Sequence, residues 1–169
     1  ERVFRVLLGT RKTKDSAGID TVFSETPYRM AISKPFLGLA VSVNKSTGGN
    51  VIVTPGGEVN VTVSWNNNLT TEIRDAVIVA RLSGLPIDGS TVKSQDGFYR
   101  SSDNAMLWDK TTTSGSLASI ASGANGTVNF FFQMPPSDVL QALRDPRLTI
   151  TVHAAGKRLS ESGVPESLQ

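Results

Sequence analysis

Residues able to do chemistry are few and scattered. Among 169 residues there is one histidine, His153, and no cysteine. A Ser-His-Asp triad needs a histidine beside a hydroxyl and a carboxylate, and zinc centres draw on clusters of His and Cys. Without thiols, disulfides, Fe–S clusters and a cysteine nucleophile are excluded together. His153 falls on the polar phase of its segment and reads as a solvated side chain. The chain has no G-x-S-x-G nucleophile elbow, no G-x-x-x-x-G-K-[ST] phosphate loop and no G-x-G-x-x-G fingerprint.

Carboxylates are the next resource. Calcium prefers oxygen ligands on loops, which draws attention to Asp96, Asp103 and Asp109. The run SSDNAMLWD lacks the alternating acidic spacing of a calcium loop, and Asp103-Asn104 reads as a turn. A glycosidase needs two carboxyl groups facing each other across a cleft. Glu58, Asp75, Asp88 and Asp109 lie near the ends of apolar runs, where charge ordinarily serves solubility. No catalytic residue, metal site or cofactor is expected.

Aromatic residues are the remaining candidates for recognition. Trp65 shares a phase with Val59, Val61 and Val63 and belongs to a core. Phe98, Tyr99 and Trp108 are close in sequence, and exposed aromatic faces stack well on sugars. These three form the candidate ligand site, against the alternative that they are ordinary packing.

Seventeen Lys and Arg stand against 15 Asp and Glu, a net charge of +2. Arg11, Lys12, Lys14 and the Lys157-Arg158 pair are interspersed with Asp15 and Glu161, so no continuous basic stripe forms. Nucleic acid is therefore not an expected partner. No apolar run approaches the roughly 18–20 residues that span a bilayer, so direct membrane insertion is not expected of this segment. Asn44, Asn60, Asn68 and Asn125 each open a glycosylation sequon, which arises easily in a chain rich in Ser, Thr and Asn.

The elements that would position these residues are short β-strands. Apolar residues alternate with polar ones in Glu58 to Trp65 and in Leu148 to His153. Leu37 to Val43, Asp75 to Leu82 and Thr127 to Met134 are further runs rich in β-formers. Pro55-Gly56-Gly57, Asn66-Asn67-Asn68, Asp88-Gly89, Asp96-Gly97 and Ser122 to Gly126 punctuate them with turn chemistry. One short helix is expected, capped by Ser137, carrying Val139, Leu140 and Leu143 on one face and ending before Pro146. Several strands and one helix predict an all-β, antiparallel sandwich with a short crossover helix.

Residues 1–35 read differently. Arg2 to Leu8 and Tyr28 to Ile32 are strand-like around a basic loop from Thr10 to Gly18. They form either the closing hairpin of a preceding module or extra edge strands. The segment from Arg2 to Gly18 faintly echoes the one from Arg147 to Gly163, which favours the first option and predicts an open pairing edge. The expected division is a hairpin or linker at 1–35, a sandwich at 36–155, and a linker or the start of a further segment at 156–169.

The run VTPGGEVNVTVSWNNNLTTEIRDAVIVARLSG resembles the front half of the immunoglobulin-like repeat domains of bacterial cell-surface proteins. GFYRSSDNAMLWDK followed by LASIASGANGTVNFFFQM resembles their back half. The resemblance covers about residues 37–154. It implies an immunoglobulin-like β-sandwich, without the Cys pair or tyrosine corner of antibody domains. It also implies an extracellular or cell-surface location, tandem neighbours of the same kind, and a structural or spacer role without catalysis. The alternatives are an adhesion module for a glycan or protein, and a filament subunit completed by a donated strand.

Overall fold

The computed structural model describes residues 2–10, 13, 18–30, 34–160 and 163–169. The chain divides into two compact units, Glu1–Lys34 and Pro35–Gln169. The first holds an antiparallel pair, β1 (Arg2–Thr10) and β2 (Thr21–Met30), running from Arg2 opposite Met30 to Thr10 opposite Thr21. β2 begins seven residues before the expected Tyr28, because Pro27 and Glu25 mask its alternation. The rest of the expected strand, Ala31 and Ile32, lies outside the described residues.

The second unit is all-β and antiparallel, with two sheets packed on one core. The smaller sheet has the order β3 (Leu37–Val43), β4 (Glu58–Asn67), β9 (Asn125–Gln133). The larger has β11 (Pro165–Leu168), β10 (Thr149–Leu159), β5 (Ile73–Ser83), β7 (Ala105–Trp108) and β6 (Phe98–Arg100). A short β8 (Ser119–Ile120) also pairs with β5.

Alternation explains the packing. Val59, Val61, Val63 and Trp65 are all buried on the inner side of β4, as their shared phase requires. Val128, Phe130 and Phe132 do the same on β9, while Phe131 points outward at 37% exposure. Ala76, Ile78, Ala80 and Leu82 close the core from β5. Thr54 to Gly57 is a tight turn, with Gly57 N–H donating to the Thr54 carbonyl at 3.0 Å and Gly56 at φ +67°. Gly84 is obligatory in another sense: at φ +99°, a Cβ there would lie 2.2 Å from the Arg147 carbonyl oxygen.

Two expectations need correction. The helix α1 (Ser137–Gln141) is a single turn capped by Pro136, with no side-chain capping bond, so Ser137 is its first residue and not its cap. It does carry the chain from β9 in one sheet to β10 in the other. The stretch 156–169, expected as a linker or the start of a further segment, contains strand: β10 runs through residue 155 to Leu159, and β11 (Pro165–Leu168) pairs with Gly156 to Leu159. Gly156 and the adjacent basic pair fall in the stretch expected as a linker or further segment. Instead, the glycine permits close approach, since a Cβ there would sit 2.9 Å from Ile73 Cγ2. Among the described residues, no helix is long and apolar enough to cross a membrane.

Candidate functional site

The three aromatics proposed for ligand contact do not form a platform. Phe98 and Tyr99 are successive residues of β6, so their side chains leave opposite faces of the sheet. Phe98 is 59% exposed. Tyr99 is half-buried, and its hydroxyl donates to Asn104 Oδ1 at 2.9 Å. Burial, with the nearby Asp103 and Asp88 carboxylates, raises the pKa of that phenol.

Trp108 is fully buried and belongs to the core, which removes it from the candidate ligand site. Its ring lies 5.8 Å from that of Phe130, tilted by 55°, and thereby joins β7 in one sheet to β9 in the other. Phe130 stacks in turn on Phe132 at 6.0 Å. Trp108 Nε1 points towards Ser94 Oγ at 3.4 Å, a long contact, while that hydroxyl donates to the Asn129 carbonyl at 2.6 Å. β7 is only four residues long, too few for alternation to reveal that Met106 and Trp108 face inward.

Of the carboxylates singled out, Asp103, Asp109, Asp75, Asp88 and Glu58 are each engaged by a separate partner. Asp103 accepts from Arg100 Nε and Nη2, both at 2.7 Å, and from Arg81 Nη2 at 3.1 Å. Arg100 first, then Arg81, holds its carboxyl down at about 2. Asp109 accepts the backbone N–H groups of Thr111 and Thr112, each at 2.8 Å, and these bonds lower its pKa. Asp75 pairs with Lys110 at 2.8 Å, Asp88 caps the turn at Ser90, and Glu58 accepts from Asn60. Among the described residues, no three His, Asp or Glu side chains converge as metal ligands. His153 is exposed on the outer side of β10.

A feature that sequence patterning did not reveal is an apolar groove of about 1000 Å³ at the side of the sandwich where β3 and β10 are the neighbouring strands. Val41 of β3, Val59 of β4 and Phe132 of β9 line it, facing Leu140, Leu148 and Ile150. Ile52, in the loop along this groove, is 100% exposed. Arg147 and Asp145, 3.7 Å apart, supply charge there. The groove offers apolar contact surface; it contains no paired acid and base and no activated nucleophile.

No protein-family model and no curated protein matches the chain. Among solved structures, it is similar to a GH20 exo-β-N-acetylglucosaminidase from Vibrio harveyi in complex with N-acetylglucosamine. Identity is 9%, the TM-score is 0.44, and the match covers 79% of this chain and 17% of that one. A likeness at that level carries no argument about function.

Proposed function

We propose that this chain is a non-catalytic, immunoglobulin-like structural module of a modular extracellular surface protein, adjoined by modules of its own kind. The observation that supports this reading is the doubling of one hairpin. β10 and β11 form an edge hairpin built into the sandwich, and β1 and β2, similar in sequence at their start, form a hairpin in a unit of their own. Repetition of one module supplies such a pair. Polar outer faces on the sandwich strands suit a spacer, which needs no site at all.

A second reading, a protein-binding module that accepts a strand or apolar segment, is supported by the groove beside β3. The glycan reading loses support because Trp108 is internal.

The test is to screen the purified chain against a glycan array and a panel of chromogenic glycosides, and to label intact source cells with antibody against it. Surface labelling with neither selective glycan binding nor turnover is the expected result. A selective glycan would move the chain to the adhesion class. Turnover that survives rigorous purification, or labelling only after lysis, would overturn the proposal.

A further inference from the structure

Natural sheets protect their edges with short strands, prolines, charges or covering segments. Most edges of this sandwich are treated in that way. β11 is four residues long, begins with Pro165 and carries Glu166, and β6 is three residues long and ends in Arg100. The outer side of β9 is covered where Lys93 and Phe131 exchange backbone hydrogen bonds of 2.9 and 2.8 Å. The stretch of β10 beyond β11 presents Thr149, Thr151 and His153 on its exposed face.

Apart from the Val43–Ser46 bridge at its end, β3 has none of these protections among the described residues. It is seven residues long, LGLAVSV, without a charge or a proline, and among the described residues its only strand partner is β4.

The backbone of β3 shows which groups are open. Asn44 N–H donates to Asn60, and the Phe36 carbonyl accepts from Asn68, so these even-numbered residues face β4. Val43 instead exchanges hydrogen bonds with Ser46, on the side away from β4. Antiparallel pairing alternates the two directions along a strand. Leu37, Leu39 and Val41 therefore direct their N–H and C=O groups outward, and no bond to them occurs among the described residues.

We propose that β3 is a self-association edge, on which two copies of this chain pair β3 against β3, antiparallel and centred on Leu39. In that register Leu37 meets Val41 of the second copy, Leu39 meets Leu39, and Val41 meets Leu37. All the outward groups of these residues then find partners, and the Val43–Ser46 turn stays intact. The side chains agree with the backbone, because LGLAV is a chemical palindrome. Large apolar residues oppose large ones on the groove side, and Gly38 opposes Ala40 on the other face. No charge within the strand opposes its like, so the twofold contact is self-complementary. Pairing also extends the apolar wall that Val41 contributes to the groove. This inference rests on β3 itself and not on the module reading above.

The absence of native cysteine makes a direct test available. In a hydrogen-bonded antiparallel pair, facing Cα atoms lie about 5.5 Å apart, within disulfide range. Leu39→Cys should form a disulfide-linked dimer at least ten times faster than Ser64→Cys, which is exposed on β4 away from the edge. Sedimentation equilibrium of the unmodified chain should show the mass rising with concentration from 18.0 kDa towards twice that value. Val41→Pro removes one outward N–H without breaking the β3–β4 ladder. It should weaken association at least tenfold while circular dichroism remains unchanged. A mass of 18.0 kDa at every concentration overturns the proposal. So does a dimer whose cross-links centre anywhere other than Leu39.

Discussion

Asn67 Nδ2 donates to the carbonyl of Ile120 at 3.0 Å, joining the end of β4 in one sheet to β8 in the other. The same nitrogen also contacts the carbonyls of Thr71 and Ala121 at 2.9 and 3.1 Å, while Oδ1 accepts from Leu69 N–H at 2.9 Å. At 3% exposure this is a buried amide with both ends engaged. Asn67→Ala should lower unfolding free energy by on the order of 3 kcal/mol, read from urea denaturation. Asn67→Asp, which faces carbonyl oxygens with a carboxylate, should be at least as damaging.

Core and surface roles separate the aromatics. Trp108→Ala leaves a cavity against Phe130 and should cost about 3–5 kcal/mol. Phe98→Ala, at an exposed position, should change stability by no more than about 0.5 kcal/mol. Equal effects in urea melts would contradict the placement of Trp108 between the sheets.

Acid should expose the Asp103 cluster. Its folded pKa, held at about 2 by Arg100 and Arg81, lies below the roughly 3.9 of an unfolded aspartate. A depressed folded pKa contributes stability that is present above the unfolded value and lost as pH falls through the folded one. Thermal melts of the unmodified chain and Asp103→Asn should therefore differ at pH 7. The difference should shrink below about pH 4 and be lost only as pH falls through and below about 2.

Gly126 and Trp65 are in close approach: a Cβ at residue 126 would lie 2.5 Å from Trp65 Cζ2. Gly126→Ala should cost about 1–3 kcal/mol through displacement of the indole, with a shift in Trp fluorescence. Gly49→Ala, where nothing lies within 4 Å and φ is not positive, is the control and should be close to neutral.

Much of the fold was legible because alternation of period two is written in local sequence. Leu37–Val43 is bounded as its pattern indicates, and the valines of β4 lie on one buried face. β6 and β8 escaped because strands of three residues or fewer hold too little periodicity to separate from a loop. β11 escaped because Pro165 and Glu166 resemble linker composition. The candidate site fared worst. Nearness of Phe98, Tyr99 and Trp108 in sequence says nothing about which side of a sheet each side chain leaves.

By itself, the sequence determined the β class, the main strands, the inward phase of Trp65 and the lack of material for thiol or multi-histidine chemistry. These depend on residue type and short-range spacing alone. Only the tertiary structure decided that Trp108 is core, that Asn67 clamps two sheets, that residues 156–169 include sheet, and that β3 is left with a bare edge. Each of those depends on which distant segment becomes the neighbour, and strand pairing between residues far apart in the chain carries no local signature.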